Sequence, residues 1–248
     1  MPLEAGFDGL ARELVAALRA GTGELGKPLD PGGLPELPRV AGLPEFVLES
    51  ETGLLLGEPP ARALSLALPV FGPGAVASAV WALGEDFARA AGGAPQDFLQ
   101  LLIVQAPAGP SRPLLSRIAS LRSLAGRIPG YLAHSVEAET TARVHRGLLA
   151  AGFSQRHLAR AHLAQLRERG FEGPALVAVG LVPRALIERL DPFWERLRGL
   201  RAQVAAAAAS EAAALDGCEG KSCVSCDERV VCDKVREVLA AQRREKNR

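Results

Sequence analysis

The four cysteines of this 248-residue chain all lie within one stretch of fifteen residues, at Cys218, Cys223, Cys226 and Cys232. The residues before this stretch therefore have no thiol for a disulfide or a thiolate metal site. A hydrophobic core has to hold them together, and a chain of this length can bury one. With 48% hydrophobic residues, the composition allows it. We expect a self-sufficient body followed by a cysteine segment.

Strand-like apolar runs alternate with helical patterns along the body, which predicts an α/β fold with a mixed sheet flanked by helices. The run at 46–56 is expected to pair with that at 63–71 as a hairpin, and Pro69 indicates that the second strand lies at a sheet edge or ends early. Further strands are expected at 98–105, 131–136 and 175–182, and helices at 2–20, 76–91, 114–127, 139–151, 154–169 and 184–215.

Composition divides the chain into three predicted parts. Residues 1–44 form a helix and an arm rich in glycine and proline, residues 45–190 form the α/β body, and residues 191–248 form a helical stalk and the cysteine segment. The stalk is a long alanine-rich helix, with a possible break at Asp191 and Pro192.

The cysteine spacing, Cys-x4-Cys-x2-Cys-x5-Cys, predicts a single [4Fe-4S] cluster. A cubane takes four thiolate ligands, and a close pair with longer flanking gaps can wrap it. Lys221 and Arg229 could offset the charge of the thiolates. Zinc is the alternative, but structural zinc sites usually combine two Cys-x2-Cys pairs or add histidine. Here there is one such pair, and no histidine follows His162.

The sequence KSCVSCDERVVCDKVREVL, within residues 217–239, resembles the C-terminal motif of the carbon monoxide dehydrogenase beta-subunit family from anaerobes with one-carbon metabolism. The trailing Cys-x2-Cys-x5-Cys also resembles the cluster loop of the iron–sulfur DNA glycosylases, whose first gap is longer. The first resemblance implies a non-catalytic electron-transfer or accessory subunit whose partner is a larger metalloenzyme of carbon monoxide or acetyl-CoA chemistry. The second implies a nucleic-acid protein with a structural cluster.

Two expected strand-to-helix junctions are candidate ligand sites. Gly72, Pro73 and Gly74 follow one strand, and Ser111 and Arg112 follow the next. Ser111 could cap the helix, Arg112 could hold an anion, and parallel strands would bring both junctions to one crevice able to take a nucleotide or coenzyme A. The alternative interpretation is that both junctions are ordinary structural turns that bind no ligand.

Other features narrow the classes of function. The net charge of +1 gives no general attraction to nucleic acid or anionic membranes. The sequence has no apolar stretch of about 18 residues, and its first residues lack the basic start and apolar core of a signal peptide. We therefore expect a cytoplasmic protein without a membrane partner. The histidines lack metal-ligand spacing, and no Gly-x-Ser-x-Gly motif occurs.

Overall fold

The computed structural model describes residues 3–21, 28–124 and 127–216, with side chains up to residue 209. The chain divides into two compact units, Met1–Arg201 and Ala202–Arg248. The first unit contains two β-sheets flanked by helices, and the described part of the second is the end of a long helix. The predicted α/β class, with a mixed sheet and a long helix toward the C-terminus, is confirmed.

The described residues contain seven strands and six α-helices. The strands are β1 (Thr52–Leu56), β2 (Ala63–Val70), β3 (Ala79–Leu83), β4 (Phe98–Gln105), β5 (Tyr131–Val136), β6 (Glu139–His145) and β7 (Ala175–Leu181). The helices are α1 (Leu3–Gly21), α2 (Phe87–Ala90), α3 (Arg112–Ser120), α4 (Arg146–Ala150), α5 (Gln155–Glu168) and α6 (Arg184–Asp216).

The four-stranded sheet has the order β2-β4-β7-β3. The outer pairs, β2 with β4 and β3 with β7, are parallel, whereas β4 and β7 are antiparallel. All eight residues of β2 are buried, as are nearly all of those in β4 and β7. Both faces of this sheet are covered, which is why these runs are apolar throughout rather than alternating.

Helices pack on both faces of this sheet. On one face, α1 contacts β2 and buries its apolar stripe. On the other, alternate residues of β2 such as Ala63 and Ala67 belong to a core cluster with Ile118 of α3 and Leu158 of α5. The second, three-stranded sheet contributes Leu56 and other residues to the same cluster. The body therefore has its own hydrophobic core, as its lack of cysteine requires.

The three-stranded sheet corrects two predictions. Its order is β1-β6-β5, and all its pairs are antiparallel. The predicted hairpin between residues 46–56 and 63–71 is wrong, because β1 pairs with β6 and β2 lies in the other sheet. The helix predicted over 139–151 is also wrong over its first half, which is β6. Thr140, Thr141 and Val144 are β-branched, and they favour the hairpin with β5.

A third correction concerns residues 76–91, which were expected to form one helix. They contain β3 and the short helix α2 instead. Gly84 has a φ of 72° and interrupts any helical pattern, and Asp86 caps a new helix by accepting a hydrogen bond from the Ala88 N–H. The apolar run before Gly84 is buried as a strand beside β7.

The remaining predictions from local pattern are confirmed with small shifts. Strands β4, β5 and β7 and helices α1 and α5 lie where expected. Helix α3 ends earlier than predicted, at Ser120. Helix α6 is continuous through Pro192, so no break occurs there. Strand β2 lies at a sheet edge, as Pro69 indicated.

We expect Gly180→Ala to destabilise the protein by about 3 kcal/mol or more. Gly180 has a φ of 149°, and a Cβ atom there would lie 2.1 Å from the carbonyl oxygen of Leu83 in the neighbouring strand. Urea denaturation followed by circular dichroism measures the free energy of unfolding. The control is Gly199→Ala, in an open position on α6, which should stabilise by up to about 1 kcal/mol. Equal effects of the two substitutions would contradict this account.

Candidate functional site

The carboxyl ends of β2 and β4 meet at one edge of the four-stranded sheet and form a crevice of about 500 Å³. Because the two strands are parallel, the junctions that follow them come together, as predicted. The crevice is lined by Glu4, Ala5, Asp8, Phe71, Gly72, Pro73, Ala106, Pro107, Ala108 and Gly109.

An internal carboxylate already occupies the backbone donors of the first junction. The N–H groups of Phe71 and Gly72 donate hydrogen bonds of 2.7 and 2.8 Å to the two carboxylate oxygens of Asp8 in α1. These are among the groups that a phosphate would use at such a turn. Glu4 adds a second carboxylate to the lining. The crevice is therefore acidic, and its electrostatics disfavour a nucleotide or coenzyme A phosphate.

Ser111 and Arg112 lie where the sequence placed them, at the start of α3. Ser111 is the N-cap residue, and its Oγ accepts a hydrogen bond of 3.4 Å from the Leu114 N–H. Arg112 is the exposed first residue of the helix. Neither residue lines the crevice. The capping role is therefore observed, whereas an anion held by Arg112 stays a prediction.

Cys218, Cys223, Cys226 and Cys232 lie outside the described residues. Helix α6 ends at Asp216, two positions before the first of them. Within residues 3–21, 28–124 and 127–216, no group of three or more His, Cys, Asp or Glu side chains could hold a metal ion. The four-thiolate site stays a prediction from the sequence.

The described histidines serve local structure. His145 caps α4 by accepting a hydrogen bond of 2.9 Å at Nδ1 from the Gly147 N–H. His157 pairs with Ser154 at the start of α5, where the Ser154 N–H donates to Nδ1 at 3.1 Å. His134 is exposed on β5. These placements do not form a catalytic group.

His162 differs from the other histidines because it is fully buried. Within the described part of the chain, neither ring nitrogen has a partner at hydrogen-bonding geometry. Burial lowers the pKa of this imidazole to about 4, although the nearby Leu121 carbonyl and Gln165 side chain slightly favour the proton. His162 is therefore neutral in the folded protein near pH 7.

A second cleft, of about 720 Å³, lies at the other end of β2, beside the turn between β5 and β6. Its wall includes the ion pair between Arg62 and Asp191, at 2.8 Å, and the aromatic ring of Trp194. Sequence reasoning did not find this cleft, because its residues come from three separate segments. It also missed Arg122 and Arg201, which reach the outer edge of β2 beyond the cleft.

Comparisons with known proteins do not identify a family for this chain. No protein-family model matches the chain, and no curated protein matches it significantly. None of the described helices is both long and apolar enough to cross a lipid bilayer.

We expect Asp8→Asn to destabilise the protein by about 1–3 kcal/mol, because an amide cannot accept both backbone hydrogen bonds as a carboxylate does. Urea denaturation at pH 7 measures the effect. Glu4→Gln, on the exposed wall of the same crevice, is the control and should change stability by less than about 0.5 kcal/mol. An Asp8→Asn variant as stable as the wild type would contradict a structural role for this carboxylate.

Burial of His162 predicts that stability decreases as the pH is lowered from 6.5 toward 4. The unfolded imidazole takes up its proton near pH 6.5, whereas the folded one does so near pH 4. The stability that the buried, neutral His162 contributes is fully present above pH 6.5. Up to about 3 kcal/mol of it is lost as the pH falls from 6.5 to 4. In His162→Leu this part of the pH dependence should vanish, as measured by urea denaturation at several pH values. It should persist in His134→Gln, and its persistence in His162→Leu would contradict the assignment.

Proposed function

We propose that this chain binds one [4Fe-4S] cluster through Cys218, Cys223, Cys226 and Cys232 and serves as an electron-transfer or accessory subunit of a larger metalloenzyme. The observation that carries the proposal is the confinement of all four cysteines to one short segment at cubane-compatible spacing. A cytosolic disulfide framework would distribute its cysteines through the fold.

The described body supports a non-catalytic role. The crevice at the ends of its two parallel strands presents carboxylates and occupied backbone donors rather than groups that would act on a substrate. Its histidines cap helices, are buried or lie isolated on the surface. We therefore place the chemistry of the protein in the cysteine segment and in a partner.

The resemblance of residues 217–239 to the carbon monoxide dehydrogenase beta-subunit family supports a more specific form of the proposal. In this form the partner is an anaerobic metalloenzyme of carbon monoxide or acetyl-CoA metabolism in the cytoplasm. The chain would pass electrons to or from that enzyme, or would assist its assembly. A structural cluster in a nucleic-acid protein is the less favoured form, because the net charge of +1 offers no general attraction to phosphate backbones.

Anaerobic purification followed by iron, sulfide, zinc and nickel analysis tests the proposal. We expect about four irons and four sulfides per chain, and an EPR signal after reduction. Cys226→Ser should lose most of the iron and sulfide while keeping the helical circular dichroism of the body, because the body has its own core. The matched control is Ser225→Ala, which changes the adjacent residue and leaves the four thiols intact.

Three outcomes would contradict the proposal at different levels. One zinc per chain without sulfide would replace the cluster by a structural metal site. A cluster that forms but cannot be reduced would exclude electron transfer and leave an accessory or structural role. Tight, salt-dependent binding of the loaded protein to duplex DNA would favour the nucleic-acid form instead.

A further inference from the structure

A groove of about 780 Å³ lies between the glycine- and proline-rich arm and helix α5. One wall is the arm at residues 36–43, and the other is the side of α5 that carries Arg160, Ala161 and Ala164. Residues 128–129, just before β5, complete the lining. All of these residues belong to the first compact unit.

Both ends of the arm segment are anchored to the body. Leu34, just before the segment, is part of the core cluster, and its carbonyl accepts a hydrogen bond of 2.8 Å from Arg160. Arg160 also forms an ion pair with Glu36. After the segment, the Pro44 carbonyl accepts a hydrogen bond of 2.9 Å from the Gly130 N–H. The wall is therefore in position before any partner arrives, which lowers the entropic cost of binding.

The lining of the groove is mostly apolar and remains partly open to water. Leu37 and Leu43 pack against the core cluster but are only partly buried. Val40 is half-buried, and Ala164 is exposed on α5. Covering such apolar surface is favourable, because it removes the surface from water. A partner with apolar side chains would therefore be stabilised here.

The backbone of the arm offers further hydrogen-bonding groups. Within the described part of the chain, no N–H or carbonyl group of residues 37–43 has a hydrogen-bond partner. Chains that bind in an extended conformation use free backbone groups of this kind, as in strand addition to a sheet edge. These groups therefore favour an extended peptide segment as the occupant of the groove.

Arginine side chains gather at the same face, and most of them have no counter-charge. Arg39 is exposed in the arm wall of the groove. Arg156, Arg160 and Arg167 follow one another at intervals of four and seven residues, so they project from one side of α5. Arg160 pairs with Glu36, but the other three form no ion pair with a carboxylate of the described residues.

The carboxylates beside the groove do not neutralise this charge. Glu36 already pairs with Arg160, and Glu168, at the end of α5, already pairs with Arg127. The three arginines without an ion pair therefore leave the face with excess positive charge. Charge complementarity favours an acidic partner, and it would steer such a partner toward the groove.

The spacing of the arginines fits a peptide better than a nucleic acid. Along the axis of α5, Arg156 and Arg160 are about 6 Å apart, and Arg167 lies about 10 Å further on. Two residues of an extended chain span about 6.6 Å, so carboxylates at alternate positions match the first interval. No aromatic residue of the described chain lines the groove, so single-stranded nucleic acid would lack a surface for base stacking.

We propose that the groove between residues 36–43 and α5 is a docking site for an acidic, amphipathic peptide segment of a partner protein. The apolar side chains of that segment would cover Leu37, Val40 and Leu43, and its carboxylates would pair with Arg39 and with the arginines of α5. The site is independent of the cysteine segment, so its test can succeed or fail whether or not a cluster is bound.

Fluorescence anisotropy of a labelled synthetic peptide, titrated with the full-length, anaerobically purified protein, tests this site. The probe is a short peptide of alternating glutamate and leucine. Two matched peptides replace every glutamate by lysine or every leucine by serine. We expect saturable binding of the first peptide and at least about tenfold weaker binding of the other two. Added sodium chloride should weaken the binding, because the charges at this face are exposed.

Substitutions locate the binding. Ala164→Glu adds a carboxylate to the groove at an exposed helical position, so it should weaken binding at least about tenfold through like-charge repulsion while the helix persists. Arg39→Glu reverses one charge and should weaken binding at least about fivefold. The matched controls are Ala16→Glu and Arg12→Glu, at exposed positions of α1 on the opposite face of the four-stranded sheet.

Both controls should bind the glutamate–leucine peptide as tightly as the wild type does, and circular dichroism checks that every variant is folded. If Ala164→Glu does not fold, Arg39→Glu still tests the site, because Arg39 lies outside the helices and strands. No saturable binding, equal affinity for the glutamate and lysine peptides, or equal affinities of the groove variants and their controls would overturn the proposal. Tighter binding of a single-stranded oligonucleotide than of the glutamate–leucine peptide would assign the face to nucleic acid and overturn it as well.

Discussion

Strand β2 lies at the edge of its sheet and is nevertheless buried along its whole length, and closing this edge is the constraint on which the body depends. Several outward-facing backbone groups along this edge have partners from different elements. The backbone of Ser65 is bound by the β5–β6 turn and by one arginine, the Ala67 carbonyl by another arginine, and the Phe71 N–H by Asp8. Pro69 has no N–H to satisfy. Closure of one strand thus ties α1, α6, the β5–β6 hairpin and the end of α3 to the sheet, which protects an apolar edge from intermolecular pairing.

Sequence patterns predicted those elements whose stability is decided locally. The apolar runs at 98–105 and 175–182 are long and uninterrupted, so burial as central strands was the simplest outcome. The predictions of one helix over 76–91 and one over 139–151 were wrong, because each segment contains a short strand followed by a short helix. Their conformation is selected by pairing with β7 or β5, and neither partner can be inferred from the segment itself.

The candidate sites divide in the same way. A cysteine motif can be recognised in the sequence because all its ligands lie within a few residues of one another, so spacing alone constrains the geometry. Arg122 and Arg201 carry no such signal, since they are 79 positions apart in the chain and meet only at the edge of β2. The role of Asp8 could not be predicted from the sequence for a similar reason. Its position in the first helix gives no indication that it will accept hydrogen bonds from Phe71 and Gly72.

The strand order β2-β4-β7-β3 has a consequence for how the protein comes to be folded on the ribosome. The last strand of the sheet to be synthesised, β7, does not extend the sheet but fills the gap between β4 and β3. Until residue 181 has emerged, β3 lacks its only strand neighbour in this sheet and β4 has one open side. An apolar half-sheet therefore stays incomplete in the nascent chain until its central strand is available, and such non-local strand pairing slows folding.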